Sequence, residues 1–180
     1  MLDEISYREA VEMTFSGAKV IHPKTIKPLH NKNIPLYVRS FVLPGERGTT
    51  IKADPVIKRN IPVFIRKEGQ MLITFLPNDF SFVMGDNLSR IFRYLSDRGI
   101  KVNLVEASAV SINVCVNDEH EKIFSFMEEM KPEFTVVYNE GVEMLTVRHY
   151  TEEAISTLIS GREILLEQRT RSTVRFVARC

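Results

Sequence analysis

Asp86–Asn117 reads DNLSRIFRYLSDRGIKVNLVEASAVSINVCVN, and this stretch decides the fold. Its first half places Leu88, Ile91, Phe92 and Leu95 on one face at helical spacing, opened by Asp86 or Asn87 and ended at Arg98-Gly99. Its second half alternates with period two in two runs, Lys101 to Glu106 and Val110 to Val116, divided by small residues; these read as strands. Upstream, Val63 to Arg66 and Met71 to Leu76 are β-rich runs separated by Glu68-Gly69, which reads as a turn. Downstream, Asn117 or Asp118 opens a helix with Ile123, Phe124, Met127 and Met130 on its apolar side; Pro132 stops it, and Phe134 to Tyr138 is a strand. The order β-α-β-β-α-β predicts an α+β fold of the split-βαβ, ferredoxin-like kind, an antiparallel sheet with both helices on one face.

A partial repeat comes next. Val142 to His149 reads as a strand, Thr151 to Ile159 as a short helix, and Ile164 to Arg169 and Thr173 to Arg179 as two strands. A second helix and a closing strand are missing from this repeat. Its unpaired edge should be completed by the first module or by a second chain, and the run Val63 to Arg66 is one candidate donor.

The N-terminal region has a different grammar. Ser6-Tyr7-Arg8-Glu9 fits a capping box that opens a helix carrying Ala10, Val11 and Met13, with Gly17 as its stop. Pro23 suits the first turn of a second helix running to about His30, Asn31 to Asn33 break it, and Ile34 to Val42 alternates as a strand. Pro44 to Ile51 reads as a glycine-punctuated loop and Lys52 to Asn60 as a charged linker, which places a domain boundary there.

The chain has 180 residues, a net charge of +1 and two cysteines, so neither a nucleic-acid surface nor a disulfide framework is indicated. Cys115 lies in an alternating apolar run and reads as a buried structural thiol; Cys180 is the last residue and is expected to fray. The four histidines are scattered without metal-ligand pairing. No apolar run approaches the ~18 residues of a membrane span, and a reduced, cytoplasmic protein is the expectation. The acidic pairs fall on predicted helix surfaces, and no local pattern points to a nucleophile or an acid/base couple, so no catalytic residue is assigned.

Two places could carry chemistry. Lys19 follows Gly17-Ala18 at a helix-to-strand turn, where a cation can neutralise phosphate oxygens or simply be a surface lysine. The segment Asn78 to Asp86 joins a strand to a helix N-terminus. Its amides could grip a ligand carboxylate, or it could be an ordinary loop whose Phe80 or Phe82 seals the core.

These residues carry a resemblance to a known family. Glu9-Ala10-Val11-Glu12-Met13, then Ser16-Gly17-Ala18-Lys19-Val20-Ile21-His22-Pro23-Lys24-Thr25, is similar to the EAxEM…FGAKVLHPRT segment of aspartate kinases. Ile34-Pro35-Leu36-Tyr37-Val38-Arg39 resembles their IPVxVR strand, and Gly48-Thr49-Thr50-Ile51 their closing GTxI. The remainder resembles the paired ACT regulatory domains of that family. The resemblance implies a C-terminal piece of the catalytic domain at 1–52, a first ACT domain at 61–140 and a second, short or incomplete one at 141–180.

The resemblance alone also implies an activity, a nucleotide and an effector. The full-length enzyme would use ATP with Mg to phosphorylate L-aspartate to 4-phospho-L-aspartate, at the start of lysine, threonine and methionine biosynthesis. Lys19 and Val20 stand where the family contacts the nucleotide. The family's K-F-G-G-S/T-S phosphate segment has no counterpart, so this stretch alone is expected to bind no cofactor and to be inactive, with its first sixty residues less stable than the rest. By the same resemblance an amino-acid effector, lysine first and threonine as the alternative, maps onto Asn78, Asp79, Phe80, Gly85, Asp86, Val102, Asn103 and Ser108. Asn103 and Ala109 stand where lysine-sensitive relatives carry carboxylates, which should weaken recognition of a cation. A homodimer through the ACT domains is expected, with effector at or near that interface and with no nucleic acid or membrane partner. The competing reading is a stand-alone amino-acid-binding, or purely dimerising, ACT module.

Overall fold

A computed structural model describes residues 2–56, 61–79, 81–83 and 85–179, which form two compact units divided between Ile65 and Arg66.

The first unit comprises β1 (Glu4–Ser6), α1 (Tyr7–Phe15), α2 (Pro23–Asn31), β2 (Leu36–Val38) and β3 (Thr49–Lys52), with sheet order β1-β3-β2. Ser6 is the N-cap of α1, accepting from the Glu9 amide at 3.0 Å. Gly17 ends the first helix at φ 120°, and His22 caps α2 by accepting from the Lys24 amide at 3.2 Å. The segment read as a loop and linker contributes β3, parallel to β1 through Ile5↔Ile51, because two short runs pair across the chain where neither has local periodicity. The strand expected over Ile34 to Val42 shrinks to Leu36–Val38, since the Ile34 carbonyl is taken by the Tyr7 hydroxyl (2.6 Å) and Phe41 and Val42 are exposed. A small core of Ile5, Tyr7, Ala10, Ile26 and Ile51 holds this unit.

The second unit is built on one sheet. Its elements are β4 (Val63–Pro77), α3 (Asp86–Asp97), β5 (Val102–Ala107), β6 (Ile112–Asn117), α4 (His120–Met130), β7 (Phe134–Arg148), α5 (Glu152–Ile159), β8 (Glu163–Arg169) and β9 (Thr173–Arg179). The sheet order β5-β6-β4-β7-β9-β8 contains the expected ferredoxin-like set β7-β4-β6-β5, followed by the partial repeat β7-β9-β8. Two corrections matter. Glu68-Gly69 is no turn, and Phe134 to Tyr138 and Val142 to His149 are not separate strands: β4 and β7 each run for 15 residues. β7 therefore serves both modules, and Arg66 of β4 meets Glu143 of β7, so the missing edge of the repeat is supplied from within the chain at the run expected to donate it.

Glycine makes these long strands possible. Gly69 (φ 63°) and Gly141 (φ 64°) lie within β4 and β7 in the left-handed region, a backbone angle that favours glycine and lets the alternation of a strand turn over. Before Gly141, Phe134 and Val136 face α3 and α4; after it, Leu145 and Val147 face α5. All three helices thus cover one face. α3 packs through Ile91 and Leu95, with Phe92 exposed against expectation; α4 packs through Ile123, Phe126, Met127 and Met130.

The opposite face is buried as well, because the sheet curls on itself. Leu72, Leu104 and Cys115 of the first half pack with Val142, Met144 and Val177 of the second. Gln168 of edge strand β8 donates to the Val105 carbonyl of the other edge strand, β5, at 2.9 Å. Burial pushes the Cys115 thiol up to about 12, in keeping with a structural thiol.

Candidate functional site

The β4–α3 loop emerges at one end of the sheet because β4 must turn there to start α3. Asn78 ties its start to β7: its amide donates to the Glu133 carbonyl (3.0 Å) and its side chain accepts from Thr135 (2.9 Å). Asp79 accepts from the Ser81 amide at 3.0 Å; the Ser81 hydroxyl, and then this amide, hold its carboxyl below the ordinary range. Val83 is fully buried and its amide donates to the Ala109 carbonyl, fastening the loop to the β5–β6 turn (2.9 Å). Gly85, at φ 90°, is the N-cap of α3 and makes no side-chain cap. The Leu88 amide in the first turn is held by the Val83 carbonyl (2.9 Å), so loop backbone and not a side chain closes this helix start.

A recess of about 510 Å³ opens beside this loop, lined by Asn78, Asp79, Ser81, Phe82, Asp86, Asn87, Arg90, Pro132 and Glu133. Three carboxylates and one guanidinium face it, with Arg90 ion-paired to Glu133. A zwitterion with an additional positive charge matches that inventory: amide dipoles and Arg90 suit a carboxylate, while Asp79 and Asp86 suit ammonium groups.

The expected effector residues separate into groups. Asn78, Asp79 and Asp86 line the recess, and Gly85 shapes it. Phe80 lies outside the described residues, as does Cys180. Ser108 sits in the β5–β6 turn, bonded to Ser111 (Oγ to Oγ 2.8 Å). Val102 and Asn103 lie at the other end of β5, roughly 16 Å along the strand from Ser108 at about 3.3 Å per residue. Val102 packs against the core under the helices. Asn103 is 4% exposed and saturated: its oxygen accepts from Lys67 Nζ (2.7 Å), and its amide donates to Gln70 Oε1 (2.7 Å) and Asn117 Oδ1 (2.9 Å). Desolvation, then the nearby Lys101 charge, lowers the Lys67 pKa. Sequence reading missed Arg90 and Glu133. The spacing Asp86 to Arg90 puts both on one helix face and was a usable signal; Glu133 arrives from the α4–β7 turn and had none.

In the first unit, Lys19 and Val20 are exposed just past Gly17, and Lys19 makes no ion pair among the described residues. An apolar cavity of about 90 Å³ nearby is lined by Val20, Val38 and Ile51, among others.

Fold and site together define a ferredoxin-like antiparallel sheet with helices on one face and a charged recess at one end, preceded by a small α/β unit. In comparison with known proteins the chain is similar to aspartokinases and to bifunctional aspartokinase/homoserine dehydrogenases. The chain is 35% identical over 128 residues to the bifunctional aspartokinase/homoserine dehydrogenase of Haemophilus influenzae, covering 64% of this chain and 14% of that protein. It is 32% identical over 114 residues to the lysine-sensitive aspartokinase 3 of Escherichia coli, covering 62% and 24%. The chain thus spans under a quarter of the length of either relative. Aspartokinase III of E. coli, solved in complex with aspartate and ADP, superimposes with a TM-score of 0.80 at 23% identity over 99% of this chain and 43% of that one. The Clostridium acetobutylicum aspartate kinase gives 0.83 at 18% identity, over 99% and 45%. No family profile matches the chain.

Among the described residues, no helix is long and apolar enough to cross a membrane, and no group of three or more His, Cys, Asp or Glu could hold a metal.

Proposed function

We propose that this chain is the regulatory region of an aspartate kinase joined to the closing piece of its catalytic domain, and that its first ACT module senses an end-product amino acid in the recess between the β4–α3 loop and the α4–β7 turn. The observation that carries this reading is the recess itself: a helix start with no side-chain cap, three carboxylates and Arg90 around about 510 Å³, on a sheet of ACT topology. The three carboxylates favour lysine, with threonine the alternative; the E. coli relative is named as lysine-sensitive. The first module spans 61–140 and the second 141–180, sharing β7. Ser108, at the β5–β6 turn, borders the loop on its other flank, while Asn103 and Val102 support the sheet.

In the full enzyme, ATP would supply the phosphoryl group and Mg the charge neutralisation on its oxygens. In this chain, Lys19 would neutralise phosphate and Val20 would lie against the nucleotide. Positioning and electrostatics provide nearly all of phosphoryl-transfer catalysis, so residues 1–52 alone leave the chain inactive. The protein is cytoplasmic and forms a homodimer through its ACT modules.

Titration calorimetry of the chain against lysine and threonine tests the sensing role, with Asp86→Asn and Arg90→Gln as variants. Saturable binding of one amino acid, weakened about tenfold or more in both variants, supports the site. Binding unchanged in both moves the effector elsewhere, and ATP- and aspartate-dependent turnover by the pure chain overturns the assignment of residues 1–52.

A further inference from the structure

The bend between the two halves of the sheet has a built attachment point. Gly69 of β4 and Gly141 of the neighbouring β7 both fall between the Asn78 amide on the Glu133 carbonyl at one end and Arg66 on Glu143 at the other. An added Cβ at either glycine would meet nothing within 4 Å, so glycine is required there for its backbone angle and not for space. The Gly69 carbonyl faces β6, where it accepts from the Asp118 amide (2.8 Å), and it also accepts from the Gln70 side chain (2.9 Å).

Glu143 comes just past that point. Its side chain is 5% exposed and is held by two guanidiniums from different elements. Arg66 reaches it across the ladder from β4. Arg162, from the α5–β8 turn, bonds its other oxygen at 3.0 Å and also donates to the Leu158 carbonyl at the end of α5. Arg66 additionally pairs with Glu68, beside Gly69 (3.1 Å). One carboxylate therefore ties β4, β7 and the end of α5 together at the bend, on the helix-bearing face. Burial pushes the Glu143 carboxyl up, but the hydrogen bonds from Arg66 and Arg162 outweigh it and hold the group below its ordinary range, so it is charged near neutrality.

We propose that Glu143 with Arg66 and Arg162 is a latch that fixes the angle between the two halves of this sheet, against the freedom that Gly69 and Gly141 introduce. Closing it locks α3 and α4 of the first half relative to α5 of the second; opening it lets the halves flex about the glycines while their strands stay paired. Such a two-position element is what a binding event in the first half needs in order to be felt in the second. The latch is a property of the sheet and holds whatever ligand the first module takes.

The test uses the full 180-residue chain. Spin labels go on Ser96→Cys in α3 and Ser156→Cys in α5, both exposed, with Cys180→Ser; Cys115 is buried and its thiol unreactive near neutral pH. The parent should give one narrow distance distribution. Glu143→Gln, which keeps shape and removes charge, should broaden it and add a second population. If Glu143→Gln does not fold, Arg66→Gln replaces it, leaving Arg162 on the carboxylate, and a smaller broadening of the same kind is expected. A parent-like distribution in the folded variant, with only a lower melting temperature, overturns the latch and leaves an ion pair that merely stabilises.

Discussion

Replacing Asn103 by alanine separates a residue that builds the sheet from one that holds the effector. The side chain makes three contacts at 2.7–2.9 Å, one of them from an ammonium. Each neutral bond contributes about 0.5–1.5 kcal/mol net and the charged one about 1.5–3 kcal/mol. The acceptors left behind are not wholly stranded: Asn117 Oδ1 keeps Gln70 Nε2 at 3.4 Å, and Gln70 Oε1 keeps the Cys115 thiol at 3.8 Å. Lys67 is only partly buried and can recover water. The expected loss is therefore about 2–3 kcal/mol, which for a unit of this size lowers the melting temperature by roughly 10 °C. The chain has no tryptophan, so unfolding is followed by far-ultraviolet circular dichroism in urea. Affinity for lysine or threonine, measured below the transition, should stay within about twofold, because the recess lies at the other end of β5. A variant as stable as the parent, or one that keeps its stability and loses the ligand, would refute this placement and return Asn103 to the effector site.

Three further outcomes are expected of the same unit. Thr146 is fully buried with its hydroxyl unpaired, so Thr146→Val should raise stability by about 1 kcal/mol in urea titrations, and a loss of that size would mean the hydroxyl has a partner. Cys115 should resist alkylation at pH 8 in the folded chain with Cys180→Ser and react once urea unfolds it; modification at the rate of a free thiol would show that the inner face is open. Lys67 has its pKa lowered from 10.5 by burial, so the folded form sheds this proton first as pH rises. Stability should gain between the lowered value and 10.5, and Lys67→Met should lose that gain; identical pH profiles for parent and variant would contradict it.

Most elements of the second unit were legible because each is specified locally. Leu88, Ile91 and Leu95 give α3 its period, Gly99 and Pro132 punctuate, and the alternation of β5, β6, β8 and β9 needs no distant partner to be seen. What was not legible depends on pairing. Glu68-Gly69 has turn chemistry, and only pairing with the neighbouring strands keeps Gly69 within one strand. β1 and β3 are short runs that exist because Ile5 finds Ile51. The recess divides the same way. Its loop could be read from the sequence, but Glu133 arrives by topology, and the withdrawal of Asn103 comes from the register Gln70↔Asn117, which sets two amide side chains around it.

The same register changes what the incomplete repeat needs from a partner. Read as a lone β-α-β-β unit, it would expose the side of its first strand to solvent and invite another chain to pair there. In the folded chain that side of β7 is covered by β4, and the free edges pass to β5 and β8. Those edges are turned toward each other, with Gln168 bonded to the Val105 carbonyl, so an acceptor on β5 that an incoming strand would use is already engaged. The homodimer proposed above would therefore be built on side-chain surface and not on completing the repeat. The exposed Phe82 and Val110 lie at the β4–α3 loop and the β5–β6 turn, which the Val83–Ala109 bond brings together. A contact there would put the second copy beside the loop that shapes the recess, and ligand and dimer would report on each other through that loop.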